Sequence, residues 1–215
     1  MNMTGQKRRG LLIILSSPSG AGKTTLARKL TEWDRSVTFS VSATTRPSRE
    51  SEVNGVDYHF CSPKDFAAMK DRGELLESAE VFGYNYGSPL KPVQLAIAES
   101  CDVVFDIDWQ GGLQIKNSEF GGDSVAIFVL PPSMAALRDR LRDRGKDSPV
   151  AIEQRMAKAK DEILHWADYD YVLVNSRLDA VFRQIQQIVQ AERLRRDRQI
   201  GVSDMVRKLR DEAGG

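Results

Sequence analysis

The chain has 215 residues, 41% hydrophobic and 28% charged, with 31 basic against 30 acidic side chains and a formal net charge of +1. That length suits one core domain carrying insertions, and such a chain can bury roughly 70% of its unfolded surface without covalent staples. The near-neutral balance gives no global reason to expect nucleic acid or a membrane as partner, and two lone cysteines, Cys61 and Cys101, form neither a disulfide framework nor a metal site, so any anion site must be local.

The polar, basic start is followed by a short apolar run, Leu11 to Leu15, too brief for a signal segment or a membrane span, and the expected location is cytoplasmic. Bounded by Gly10 and Ser16, this run reads as a strand buried on both faces, as in a parallel sheet. A helix is expected over Lys23–Trp33, with Leu26, Ala27 and Leu30 at helical spacing. Further strands are expected at Val37–Val41, Val103–Ile107, Val125–Leu130 and Tyr171–Val174. Helical patterns at Val93–Glu99, Ser133–Arg142, Val150–Trp166 and Leu178–Arg198 separate most of them. Alternating strands and helices predict an α/β fold with a central parallel sheet and crossover helices in three layers. The tail beyond Arg193 reads as helical, with a break at Gly201, and Arg193–Arg198 as a solvated helix face.

Residues 46–88 differ, being rich in Gly, Pro, Tyr and charge, and read as an inserted subdomain. Ser62-Pro63-Lys64-Asp65 supplies a helix cap, a proline at the first helical position and a first-turn acid, and short strands are expected on either side of that helix. Residues 142–150 form a second irregular segment, read as a lid.

Between the first strand and helix lies Ser17-Pro18-Ser19-Gly20-Ala21-Gly22-Lys23-Thr24, close to the G-x-x-x-x-G-K-[ST] phosphate loop. Glycines let backbone N–H groups face phosphates, the helix N-terminus adds positive potential, Lys23 reaches the β- and γ-phosphates, and the Thr24 hydroxyl suits Mg²⁺. Ser17 stands where the first glycine is expected, at a steric cost if that position needs positive φ. Asp106, ending an apolar strand, is the candidate second metal group, followed by Asp108. Arg46 and Arg49, three apart, can fork onto a monophosphate, with tyrosine hydroxyls completing the shell. His59 and His165 lack ligand partners at metal spacing, and Trp33, Trp109 and Trp166 read as packing residues.

These segments together resemble the guanylate kinase family. The resemblance rests on S-x-P-S-G-A-G-K-T, S-V-S-A-T-T-R-P-S-R, E-x-N-G-V-D-Y, E-x-A-E-V-F-G-Y-N-Y-G-S-P, D-I-D-W-Q-G, P-P-S, R-L-R-D-R-G and a late V-N, over about residues 10–190. It implies a P-loop core (10–45 and 89–190), a GMP-binding subdomain (46–88), a lid and a C-terminal extension (191–215). The implied reaction is transfer of the γ-phosphate of ATP to GMP with Mg²⁺. Ser42, Glu77, Ser88 and Asp108 match guanine-reading groups, and Arg46, Arg49, Tyr58 and Tyr86 the clamp on the GMP phosphate. Arg140, Arg144 and Arg155 match lid-region arginines facing the moving phosphoryl group, and Asn175 a position near adenine. Guanine presents N1–H and N2 amine donors that carboxylates accept, an edge adenine lacks. Two other readings stand beside this one: a non-catalytic protein-binding module of the same family, and a kinase of the same fold acting on a phosphorylated ribose. The oligomeric state stays open, a homo-oligomer included.

Overall fold

The structure, a computed structural model, describes residues 8–143 and 148–213. In chain order the elements are β1 (Leu12–Ser16), α1 (Lys23–Trp33), β2 (Val37–Phe39), β3 (Ala43–Thr44), β4 (His59–Phe60), α2 (Pro63–Asp71), β5 (Leu75–Val81), β6 (Tyr84–Pro89) and α3 (Leu90–Ala98). They continue with β7 (Asp102–Asp106), α4 (Trp109–Lys116), β8 (Ser124–Leu130), α5 (Met134–Asp143), α6 (Pro149–Ile163), β9 (Tyr171–Val174), α7 (Leu178–Arg193) and α8 (Val202–Ala213).

Five strands form a parallel sheet in the order β2-β7-β1-β8-β9. The unbroken apolar run of β1 follows from that central place. Leu11, Ile13 and Leu15 face one layer with Leu26, Leu30, Val181 and Ile185, while Leu12 and Ile14 face the other with Val93, Ile97 and Ile115. Both faces of β1 are therefore covered by helices, which is why its residues do not alternate with polar ones. Each such side chain taken fully from water contributes about 1.5–3 kcal/mol.

A second sheet, ordered β4-β3-β6-β5, rises from the segment after β2. Its β5–β6 hairpin turns at Phe82 and Gly83, both left-handed (φ 52° and 77°), the two-residue geometry that matches strand twist. Between β4 and β5, α2 begins as expected: Ser62 accepts from the Asp65 N–H, and Pro63 occupies the first turn.

Three expectations shift. The helix expected to Trp166 ends at Ile163 and tightens into a 3₁₀ turn over Leu164–Asp168. The second joins two misjudged spans: the strand expected to Val41 stops at Phe39, and α4, with Gly111 and Gly112 as its third and fourth residues, stands where no helix was expected. The third concerns the basic tail. Arg193 and Arg198 are not on a solvated face. Arg193 donates to Asp34 and Asp102, both at 2.7 Å, and Arg198, 2% exposed, donates to Glu192 and to the Gly122 carbonyl at 2.9 Å. Asp102 is fully buried and also accepts from Arg8 and from the Leu11 N–H at 2.9 Å. One carboxylate thus ties the chain before β1, the start of β7 and the end of α7 together.

Removing one member of a buried charge network leaves the others uncompensated. Asp102→Ala is expected to lower stability by about 3–5 kcal/mol, read as a fall in the urea unfolding midpoint. An unfolding free energy within about 0.5 kcal/mol of the parent would show that the network does not hold the fold.

Candidate active site

The loop between β1 and α1 takes its shape from two glycines. Gly20 and Gly22 adopt φ of 99° and 100°, whereas Ser17 does not lie in the left-handed region. Serine at the first position of the loop therefore carries no backbone penalty. A Cβ at Gly22 would stand 2.8 Å from Asn175 Nδ2, so this glycine is required by contact as well as by φ. Gly22 caps α1 without a side-chain hydrogen bond, and the first turn holds no acid. The first-turn N–H groups are left for an anion, with the positive end of the helix behind them.

The parallel register sets Leu15 opposite Asp106, bringing the end of β7 beside the loop. Lys23 Nζ donates to the Ile107 carbonyl at 2.7 Å and pairs with Asp106 at 3.1 Å. The Thr24 hydroxyl donates to the other Asp106 oxygen. Two residues on, Asp108 caps α4 by accepting from the Gln110 and Gly111 N–H groups at 3.0 and 3.2 Å, and it also accepts from the Gln110 side chain.

A cleft of about 450 Å³ runs from this loop to the second sheet. Its lining gathers Ser17 to Gly20, Gly22, Lys23, Thr24, Ser42, Arg46, Arg49, Tyr58, Glu77, Tyr86, Asp106, Asp108 and Arg155. Most of the sequence-derived site therefore converges in one space. Ser88 is fully buried behind it and donates to Glu77 at 2.7 Å. Ala21 is buried beneath the loop, where its carbonyl accepts from Asn175 at 2.7 Å. Arg140 stands beside the cleft and donates to the Asn175 carbonyl at 2.7 Å, while its Nη1 and Asn175 Oδ1 are buried with no hydrogen-bond partner among the described residues. Arg144 lies outside the described residues, as do residues 145–147 of the segment read as a lid.

Two carboxylates escaped the sequence reading. Both Glu52 oxygens accept from one Arg46 nitrogen, Nη2, at 2.8 and 2.9 Å, and one of them accepts from the Arg49 N–H as well. Burial pushes the Glu52 carboxyl up, but these hydrogen bonds outweigh it and hold the group below its ordinary value. Glu162, buried on α6, accepts from the Ser19 N–H at 3.2 Å and neighbours Lys158. Burial raises its carboxyl, with Lys158 and Lys23 opposing. Glu52 heads the E-x-N-G-V-D-Y segment but has no role assigned there, and no motif marks Glu162, whose partner Ser19 lies in another part of the fold.

Tyr58 packs edge-on against Tyr86, and Arg46 lies over the Tyr58 ring. Burial, with Asp106 and Tyr86 nearby, pushes the Tyr58 hydroxyl up to about 12, so it stays a hydrogen-bond donor. Besides the contact of β5 with α4, the second-sheet segment reaches two further core helices. Arg28 of α1 donates to Asp57, and Lys158 of α6 sits 4.6 Å from the Phe82 ring centre.

The guanylate kinase family model matches residues 9–192. The chain belongs to the guanylate kinase family. Within this family it is similar to the guanylate kinase of Cereibacter sphaeroides, 59% identical over 95% of this chain and 97% of that one. It is also similar to the guanylate kinase of Agrobacterium fabrum, 52% identical over 95% and 93% of the two chains. Among solved structures, the crystal structure of guanylate kinase from Anaplasma phagocytophilum superposes with a TM-score of 0.80 at 35% identity, covering 94% of this chain and 95% of that one. The α/β architecture with its parallel sheet is thus that of a family member.

Glu77 carries the largest electrostatic distortion in the cleft. Burial raises its carboxyl from 4.5 to about 7, with Asp108 adding to the rise, while the Ser88 hydroxyl and Lys23 oppose it. The folded chain holds this proton to higher pH than the unfolded chain does. The associated stability is fully present below pH 4.5 and is lost as pH rises through about 7. Glu77→Gln is therefore expected to flatten the fall in melting temperature between about pH 5 and about pH 8, followed by calorimetry. An unchanged slope would contradict the assignment.

Proposed function

We propose that this chain transfers the γ-phosphoryl group of ATP to GMP, giving ADP and GDP, with the site residues acting as follows. One observation carries the reading: an uncapped phosphate loop and two carboxylates, the buried Glu77 and the half-buried Asp108, line a single cleft. The loop at Ser17–Thr24 is the seat for the triphosphate. Glu77 and Asp108 accept from guanine N1–H and the N2 amine, and Ser42 and Ser88 complete or orient that set. Arg46, Arg49, Tyr58 and Tyr86 hold the GMP phosphate.

A cation site fits the donors present. Among the described residues no three His, Cys, Asp or Glu side chains gather for a metal, but Mg²⁺ needs only one or two protein oxygens beside phosphates and water. Thr24 Oγ1 and Asp106, already in contact, supply such hard oxygens. When bound there, Mg²⁺ supplies charge neutralisation for the β- and γ-phosphates.

The rest of the chemistry is placement. Phosphoryl transfer needs the two phosphates in line and positive charge spread over the moving group. Lys23 supplies charge from the helix N-terminus, and Arg155, Arg140 and Arg144 are assigned to the transferred group, with Asn175 near adenine. The acceptor phosphate is already anionic, so no strong general base is required. Arg46 exchanges Glu52 for the GMP phosphate, trading one charge-assisted pair for another. The intact Gly22, Lys23, Thr24 and Asp106 speak against a non-catalytic module, and the buried carboxylates against a ribose-phosphate acceptor.

A coupled ADP-release assay across GMP, AMP, CMP and UMP tests the reaction. GMP is expected to be preferred by about 10²-fold or more, because the others leave buried carboxylates unpaired. Glu77→Ala is expected to raise the KM for GMP by about 10–150-fold, with the ATP dissociation constant within about twofold of the parent. No turnover of GMP would sink the function, and equal loss of GMP and ATP binding would sink the role of Glu77.

A further inference from the structure

The base-reading carboxylate Glu77 belongs to β5, an edge strand of the second sheet, yet it is positioned by a helix of the core. A Cβ built on Gly111 of α4 would stand 2.4 Å from Glu77 Oε2 and 2.9 Å from Glu77 Cδ. No real side chain fits there, so the carboxylate occupies the space that glycine leaves. The same residue's N–H donates to Asp108 at 3.2 Å, so Gly111 touches both acidic groups of the pair. Three residues on, the Gln114 side chain accepts from the Ser78 N–H at 3.0 Å and donates to the Ser78 carbonyl at 2.9 Å. Ser78 directly follows Glu77, and β5 has no strand neighbour on that side. The Gln114 amide therefore does the work of one residue of a missing strand and fixes the height of β5 against α4.

We propose that α4 is the seat of the acceptor-recognition carboxylate, with Gly111 a specificity-determining positioning residue and Gln114 its anchor. The inference rests on the reading of Glu77 as a guanine acceptor. Gly111 has no φ requirement of its own: it lies in a regular helix, where alanine is favoured over glycine by about 1 kcal/mol. Conformation thus does not call for glycine here. The atom a methyl group would meet is the end of a side chain, which can swing aside, so the cost falls on the carboxylate's position and not on the backbone. Glu77 is only 4% exposed, so the swing cannot leave it in place.

The test is a double-mutant cycle between positions 77 and 111, with GMP and IMP as acceptors. IMP lacks the N2 amine and reports whether the acidic pair still reads it. Gly111→Ala is expected to raise the KM for GMP about tenfold or more and to lower the GMP-to-IMP preference, with kcat and the KM for ATP within about twofold of the parent. Glu77→Asp withdraws the carboxylate by one methylene. In that background the same alanine is expected to change the KM for GMP by less than about twofold, the non-additivity that contacting residues show. Equal fold-changes in the two backgrounds would overturn the proposal, as would an unchanged KM or a parallel loss toward ATP. Titration of the Glu77 carboxyl, followed by carbon NMR without substrate, reads the seat separately from turnover. In the parent it faces Asp108, Lys23 and the Ser88 hydroxyl, and Gly111→Ala is expected to shift its midpoint. An unshifted midpoint counts against the seat, whereas absent GMP turnover by the unaltered chain counts against the function.

Discussion

The cleft depends on the fastening of the phosphate loop to the end of β7. The Ile107 carbonyl accepts from both Lys23 Nζ and the Ser16 hydroxyl, and Asp106 takes Lys23 and Thr24. These contacts exist because β1 and β7 are parallel neighbours whose carboxyl ends stop at the same level. Crevices outside the carboxyl ends of parallel strands are where such sheets hold ligands. Everything downstream inherits this alignment. Asp108 is placed two residues past β7, α4 starts on Asp108, and β5 is docked on α4. The two halves of the cleft are thus referred to a single strand end.

Charge in the cleft is balanced before any ligand arrives. Arg46 is held by Glu52, Lys23 by Asp106, and Glu162 lies between the Ser19 N–H and Lys158. Leaving any of these buried or half-buried ions alone would be costly. An incoming phosphate therefore competes with an internal carboxylate for each cation, and a ligand of low charge gains little from the exchange.

Much of the fold was legible because the inner parallel strands β1 and β8, covered on both faces, are apolar runs that need no tertiary knowledge to find. The phosphate loop and the arginine pair were legible for a similar reason: their chemistry is written in contiguous residues. What was not legible depends on distant partners. Trp109–Lys116 contains two adjacent glycines, whose poor helix propensity hid a helix that its Asp108 cap and its packing stabilise. Arg193 and Arg198 have the periodicity of a solvated face, and only the approach of Asp34, Asp102 and Glu192 buries them. Glu52 and Glu162 matter through groups that the fold brings to them. Ser17 could be judged only from its dihedral angle, which lies outside the region where serine is strained.

The exposed pair between Arg28 and Asp57 has a wider reach than its own strength. Asp57 also accepts from the Val53 N–H, so the carboxylate that meets α1 organises the turn leading into Tyr58. Ion pairs this accessible are worth little individually and are screened over a Debye length of about 8–10 Å at ordinary salt. The contact of Lys158 with Phe82 on the opposite flank is likewise electrostatic and solvent-facing. These two ties, to α1 and to α6, weaken together as the ionic strength of the medium rises, while the docking of β5 on α4 and the hydrophobic layers beneath the parallel sheet do not. Dissolved salt thus acts on the hold of α1 and α6 on the flanks of the second-sheet segment, with its seat on α4 and the core of the fold left untouched.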